Sequence, residues 1–329
     1  MVLALAAAFQ CAAKQKVIFD TDMGNDIDDA LALLMLYDYR ARGDCELAAV
    51  LVNKDNPCAP VFIDLVAEFY GVNDVPIGRI SGGTTKESGR FVEKVSRETL
   101  QNGKFKYARK ISYDTVLPDA VKLARKILAE SDDRSVVYVS VGFSTNVSRL
   151  LNSMPDENSP LNGTELVEKK VKYFSVMAGE FRNTARPPVP EYNVKMDIAS
   201  ARNFFAKSPV PIVFSGFEIG NALPFPHSEV DKFGADNPVA EAYNLYAWAI
   251  DKKNGRHDRP SWDLTSVLYV FSPAMFEVSE PGTVTLDEKG GTVFTPSPEG
   301  IHCYLKLDPA KKKTIIDELV RRASIKPAR

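Results

Sequence analysis

A chain of 329 residues with a formal net charge of −2 is long enough for one large α/β domain or two smaller ones. With 45% hydrophobic and 26% charged residues it can bury a sizeable core, and its near-neutral balance excludes a nucleic-acid-binding surface spread over the whole chain. Four cysteines at wide, irregular spacing (Cys11, Cys45, Cys58 and Cys303) spell neither a zinc signature nor a disulfide framework.

Residues 1–13, MVLALAAAFQCAA, are apolar, rich in small side chains, and end in Cys-Ala-Ala before Lys14. This composition predicts the apolar and cleavage parts of an export signal without its basic start, hence a periplasmic or extracellular protein. A short disordered start is the alternative, and would leave the protein cytoplasmic. Acylation at Cys11 fits less well, because Gln10 is an atypical neighbour. No later run approaches the roughly 20 apolar residues that a membrane helix requires.

From there, strands and helices alternate. KVIFD (16–20) reads as a buried strand and DDALALLMLYDYRARG (28–43) as a helix closed by Gly43. ELAAVLV (46–52) is a strand, APVFIDLVAEFYG (59–71) a helix and VPIG (75–78) a short strand. DAVKLARKILAES (119–131) predicts a helix, SVVYVSVG (135–142) a strand, and 145–151 a helix. VKYFSVM (171–177) and PIVFSG (211–216) are strands with a helix over 197–207 between them, and further helices fit 238–252 and 261–271. Near-continuous apolar strands alternating with helices predict an α/β fold, a Rossmann-like and mostly parallel sheet flanked by helices on both faces. Toward the end, TVTLD, GGTVFT and HCYLKLD alternate apolar and polar residues around Gly-rich turns, which predicts a small antiparallel C-terminal addition before a last helix over 309–323. No repeat or long linker divides residues 14–329, so they read as one domain.

Ligands of such sheets gather where loops leave the carboxyl ends of the strands. The first of these loops, DTDMGNDIDD, places Asp20, Asp22, Asp26, Asp28 and Asp29 within ten positions. Favourable charge at a helix start explains one or two of them, not five. An Asp-x-Asp after the first strand also opens phosphotransferases of the haloacid-dehalogenase type, where the pair supplies nucleophile and acid. Those call for a small residue such as Thr or Val after the pair, whereas Met23 and Gly24 follow here with two more Asp at the helix start. A calcium site takes roughly six to eight oxygen ligands and tolerates clustered carboxylates, with backbone carbonyls completing the shell.

The run Asp20-Thr21-Asp22-Met23-Gly24 with Asp28-Asp29-Ala30 resembles the N-terminal signature of the nucleoside hydrolases, Asp-x-Asp-Pro-Gly-x-Asp-Asp-Ala. These are Ca²⁺-dependent enzymes that cleave the N-glycosidic bond of ribonucleosides. The chain differs by Met23 in place of Pro and by two extra residues before the Asp pair. The match continues along nearly all of residues 16–325. Asn53 ends the second strand where the family has a ribose-contacting Asn. Val141-Gly142-Phe143-Ser144-Thr145-Asn146 resembles the family's Thr-Gly-Gly-Leu-Thr-Asn. Met177-Ala178-Gly179 and Glu191-Tyr192-Asn193 resemble its Met-Gly-Gly and Glu-Phe-Asn runs, with Asn183 between them. Trp262-Asp263 matches the segment of its last calcium-binding Asp.

The resemblance implies that Asp22, Asp29, Asp263 and the Val141 carbonyl hold Ca²⁺, and that a water on the ion attacks C1′ while Asp22 takes its proton as general base. Direct attack implies inversion and oxocarbenium character at the ribose. Asp28, Asn53, Met177, Asn183, Glu191 and Asn193 would grip the ribose, with Tyr192 in the same substrate-binding run and Trp262 at the base. Pyrimidine-accepting members often carry His as general acid where this chain has Trp262. The purine-specific branch has Trp there, stacked on the base, which implies purine preference. His257, five residues earlier in a Gly-Arg-rich loop, is the candidate for a displaced acid, against the plain reading of an exposed loop residue. His227 and His302 receive no role. The helix register of Ala30-Leu31-Ala32-Leu33 assigns Asp28 and Asp29 to the family's pair and leaves Asp26 as an extra carboxylate. The expected ligand is a small ribonucleoside, with no nucleic-acid or membrane partner, and the expected assembly a homodimer or homotetramer. The alternative is a non-catalytic or altered-specificity relative that binds ribose or nucleoside.

Overall fold

The structure is a computed structural model that describes residues 14–84, 86–87, 89–182 and 188–327. The export-signal segment 1–13, with Cys11, and the ribose candidate Asn183 lie outside the described residues.

The acidic loop joins β1 (Gln15–Thr21) to α1 (Asp28–Ala41), and β2 (Cys45–Val52), α2 (Cys58–Tyr70) and β3 (Ile77–Arg79) follow. Next come α3 (Val92–Arg97), α4 (Ala120–Glu130), β4 (Val136–Ser140), α5 (Thr145–Leu151), α6 (Gly163–Lys170) and β5 (Val171–Met177). Then α7 (Tyr192–Met196) and α8 (Ile198–Lys207) lead to β6 (Ile212–Ser215), α9 (Phe217–Asn221), β7 (Pro224–Phe225), α10 (His227–Val230) and α11 (Pro238–Ile250). A two-residue strand, β8 (Arg259–Pro260), precedes α12 (Trp262–Phe271), and β9 (Glu277–Val278), β10 (Gly282–Leu286), β11 (Thr292–Pro296), β12 (His302–Lys306) and α13 (Lys312–Ala323) complete the chain.

The main sheet runs in the order β11-β10-β12-β6-β5-β4-β1-β2-β3. From β3 through β12 every neighbouring pair is parallel. Side chains alternate across the pleat, so Val17 and Phe19 enter one buried core and Ile18 the core on the other face. Helices bury both faces, which is why the strands read as unbroken apolar runs. α1 is itself inaccessible along most of its length, from Asp28 to Leu36, and accordingly apolar almost all round. α4 is amphipathic instead, and Asp119 caps it by accepting from Val121 N and Lys122 N at 2.9 and 3.0 Å, a contribution of about 1 kcal/mol.

The expected antiparallel C-terminal addition is present, with β10 antiparallel to β11. HCYLKLD becomes β12, which is antiparallel to β10 and β9 but parallel to β6, so the C-terminal strands extend the main sheet. Apolar alternation reports which face is buried, not strand direction. Direction is set by the connection: the chain passes from β11 across β10 to its other side, and two strands that flank a common antiparallel neighbour must run alike.

The strand order reverses between β1 and β4, and a crevice opens at the carboxyl ends there. Backbone bonds close these ends together: Val141 N donates to Asp20 O at 2.8 Å and Asn53 N to Thr21 O at 3.0 Å. Gly142 is required by the approach, since a Cβ there would lie 2.6 Å from both Asp22 N and Asn53 Oδ1.

Candidate active site

A cavity of about 670 Å³ opens at this crevice, a size suited to a small-molecule ligand. Its floor is acidic. Asp22 leaves β1, Asp28 and Asp29 start α1, and Asp263 lies in the first turn of α12; all four are at most 4% exposed. One carboxylate oxygen from each of Asp28, Asp29 and Asp263 lies within 4.8 Å of the others. Asp263 N donates to Asp28 Oδ2 at 3.0 Å, which ties the two helix starts together. The Thr21 hydroxyl donates to Asp29 Oδ1. Asp29 Oδ2 is buried and has no hydrogen-bond partner.

Burial first, and repulsion from neighbouring carboxylates second, hold the carboxyls of Asp28, Asp29 and Asp263 well above the usual carboxylate range. Burial also raises Asp22, to about 6, but less, because Lys54 and Asn25 act against it. Lys54 is fully inaccessible, and its Nζ donates to Asn25 Oδ1 at 2.8 Å. Asn25 Nδ2 in turn donates to Asp22 Oδ2 at 2.6 Å. The ammonium therefore fixes which way the amide faces, and the amide holds Asp22. Sequence reasoning passed over Lys54. Its signal was a lysine directly after Asn53, at the mouth of a strand that is apolar from Leu47 to Val52.

A dehydrated cluster of carboxylates with an unpartnered oxygen is a hard donor set, and Asp28, Asp29 and Asp263, with the Val141 carbonyl on the cavity wall, fit Ca²⁺. The trio differs from the expected ligand set in two respects: it contains Asp28 and does not contain Asp22. The sequence assigns Asp28 to the ribose, but the bond from Asp263 N draws it to Asp29 and Asp263. Asp22 lines the cavity beside that trio and its charge acts on Asp29 and Asp263.

Met177, Glu191, Tyr192 and Asn193 form one wall. Glu191 caps α7, accepting from Asn193 N at 2.8 Å and Val194 N at 3.3 Å, and also accepts from Gly179 N at 3.2 Å. Burial nonetheless raises its carboxyl to about 7. Asn193 Nδ2 donates to Val141 O and Met177 O at 3.3 and 3.2 Å, so the three segments named in the sequence meet at one side chain.

Two expected residues do not reach the cavity. Asn53 is fully buried: its Oδ1 accepts from Phe143 N at 3.1 Å and its Nδ2 donates to Asp20 Oδ1 at 3.1 Å. It serves Asp20, which also accepts from Tyr138 OH at 2.9 Å and Asn146 Nδ2 at 2.8 Å, and whose carboxyl burial pushes up to about 7. His257 is likewise not among the cavity residues. Its backbone N donates to His227 Nδ1 at 3.1 Å and its carbonyl accepts from Tyr243 OH at 3.0 Å. The residue this loop delivers to the cavity is Arg259.

The opposite rim is aromatic and cationic. Trp262 Nε1 donates to Phe217 O at 2.8 Å, and the two rings lie 5.3 Å apart with a 30° tilt. The Arg259 guanidinium sits 4.9 Å from the Trp262 ring and 5.0 Å from that of Tyr246. Asp26, left without a role by the sequence, pairs with Arg259, whose Nε lies 2.8 and 3.0 Å from its two oxygens and whose Nη2 completes the bridge. Burial works against the guanidinium's charge, but the Asp26 hydrogen bonds and charge outweigh it and hold Arg259 above even its usual range.

The sequence profile of the inosine-uridine preferring nucleoside hydrolases matches residues 17–314, from β1 into α13. The chain belongs to this nucleoside hydrolase family. It is an N-glycosidase, with ribonucleosides as the substrate class. The pyrimidine-specific ribonucleoside hydrolase RihA of Enterobacter sp. (strain 638) is 27% identical over 275 residues, 79% of this chain and 80% of that protein. Among solved structures, a plant nucleoside hydrolase, PpNRh1, superposes with a TM-score of 0.70 at 18% identity, over 94% of this chain and 99% of that one. A purine-preferring ribonucleoside hydrolase from Gardnerella vaginalis gives 0.67 at 16% identity, over 94% and 99%. These two likenesses establish the fold of this nucleoside hydrolase. Among the described residues, no helix is long and apolar enough to cross a membrane.

Proposed function

We propose that this nucleoside hydrolase is Ca²⁺-dependent and favours purine ribonucleosides, releasing free base and ribose with inversion at C1′. The observation that carries the reading is Asp22, a carboxylate held by Asn25 and Lys54, beside a trio of buried carboxylates with an unpartnered oxygen. Asp28, Asp29, Asp263 and the Val141 carbonyl would hold the ion. When bound, Ca²⁺ offsets the crowded negative charge and polarises water toward ionisation. Asp22 accepts the proton of the attacking water as general base. Glu191 and Asn193 orient the ribose from the opposite wall, and orientation of this kind is worth several kcal/mol of barrier, about 7–11 at its upper range. Burial of these groups favours ribose over deoxyribose, since a missing hydroxyl leaves them unpaired. The Trp262 and Phe217 rings supply a stacking surface broad enough for a purine, which supports the base preference. The composition of residues 1–13 supports export; an uncleaved chain recovered from the cytosol of its source cells would overturn that placement.

The test is release of free ribose from inosine, guanosine, adenosine, uridine and cytidine, with and without a chelator, with the anomer followed by NMR. Purine nucleosides should be cleaved faster, activity should vanish on chelation and return with Ca²⁺, and α-ribose should appear first. Nucleoside binding without release of ribose would instead establish a binding relative.

A further inference from the structure

The sequence leaves two questions open: what assists the departing base when Trp262 stands in the place of an acid, and what the extra carboxylate Asp26 does. One pair of side chains answers both. Nε and one N–H of Nη2 commit one edge of the Arg259 guanidinium to Asp26 and leave Nη1 and the other N–H of Nη2 as a second edge for a ligand. Arg259 lines the cavity, its side chain is 15% exposed, and it is flanked by the rings of Trp262 and Tyr246. No histidine lines the cavity among the described residues. A guanidinium confined in this way, charged and fixed in plane, is a fork for hydrogen-bond acceptors.

We propose that Arg259, positioned by Asp26, is the residue that recognises and stabilises the leaving base, and that it selects 6-oxopurines over 6-aminopurines. The proposal rests on the hydrolase reading above and names the base class within it. A 6-oxopurine offers O6 and N7 on one edge, both acceptors, the pair that arginine engages bidentately, whereas adenine offers N7 beside an amino donor. Against a guanidinium that amino group sets donor against donor. As the C1′–N9 bond breaks, its electron pair moves onto the base and spreads to N7 and O6, where Arg259 meets it with hydrogen bonds. Arg259 gives up no proton. The base leaves as a hydrogen-bonded anion and takes its proton from solvent, while the proton of the attacking water passes to Asp22 and then to solvent. The sum is nucleoside plus water giving ribose and neutral base.

The test compares kcat/KM for inosine, guanosine, adenosine and p-nitrophenyl ribofuranoside in the Ca²⁺-loaded protein and in Arg259→Met, Arg259→Lys, Asp26→Asn and Asp26→Glu. Nitrophenolate is a stable anion and departs without help, so its riboside reports on the ribose and ion half alone. The unaltered protein should prefer inosine and guanosine to adenosine on the order of tenfold to a hundredfold. Arg259→Met should lower kcat for inosine on the order of a hundredfold, abolish the oxo/amino preference, and lower the nitrophenyl riboside rate by less than about fivefold. Arg259→Lys should recover part of the rate but little of the preference. Asp26→Asn should raise KM for inosine more than for the riboside, and Asp26→Glu should restore it. An equal loss on inosine and the riboside in Arg259→Met would make Arg259 a structural residue, and a wild-type preference for adenosine would overturn the selection rule. No hydrolysis of any substrate by the unaltered protein would overturn the hydrolase reading and this proposal with it.

Discussion

The floor of the cavity gathers Asp22, Asp28, Asp29 and Asp263 where β1 ends and where α1 and α12 begin, all of them nearly inaccessible. The rim, made by Phe217, Tyr246, Arg259 and Trp262, is carried by α9, α11 and the segment around β8, and three of its four side chains keep partial contact with solvent. Charge is also arranged differently. On the floor, like charges are crowded, whereas on the rim the Arg259 charge is paired with Asp26 and flanked by aromatic faces. A floor of this kind performs a reaction that is the same for every substrate. A rim of this kind distinguishes one leaving group from another.

The largest expected effect breaks the floor. Asp22→Asn should lower kcat about 10²–10⁴-fold with KM changed little, as loss of a general base does, and a variant retaining a tenth of the activity would remove Asp22 from that role. Chelation comes next, and has a pH signature. Burial raises Asp20 and Glu191 to about 7 from ordinary carboxylate values. Between about pH 4 and pH 7 the folded, ion-free protein therefore binds more protons than the unfolded chain, so stability falls as pH rises through that window. The Tm of chelated protein should be higher at about pH 5 than at about pH 7.5, and added Ca²⁺ should raise it more at the higher pH; a Tm that rises across the window would contradict the assignment. Lys54→Met should release Asn25 and Asp22 and lower kcat about 10- to 100-fold, with a smaller effect on KM. On the rim, Trp262→Ala should cut the purine-over-pyrimidine ratio on the order of tenfold, the size of a lost stacking contact. Smallest of all, His257→Ala should leave kcat/KM within about twofold, since its observed contacts are through the backbone. A pH profile that loses one limb in that variant would restore His257 as an acid.

The same division governs what could be read from the chain alone. The floor was legible because three of its four carboxylates stand within ten positions between a strand and a helix, both strongly patterned, and Asp263 follows a motif residue. The α/β architecture was legible for the same reason. The resemblance assigns Asp28 to the ribose, and only the bond from Asp263 N shows that its carboxylate also lies against those of Asp29 and Asp263. Asn53 was read as a ligand for substrate because a polar residue at a strand end faces either the crevice or a neighbouring loop, and spacing does not distinguish these. Arg259 had no signal of its own. Its role depends on Asp26, 233 positions earlier, and on a two-residue strand that no apolar pattern announces. That β12 also runs parallel to β6 was hidden in the same way, since it is decided by a crossing and not by composition.

The placement of β1 in mid-sheet has a consequence for how the protein is made. β1 pairs with β2 soon after both emerge, but its other neighbour is β4, and Lys16 lies opposite Val136, 120 positions later. At the usual pace of synthesis, about 5–20 residues per second, the nascent chain carries its acidic loop for roughly 6–24 s before the strand that walls it in exists. Calcium captured by that loop during translation would be held by α1 and solvent alone, because Val141 and Asp263 have not yet been added.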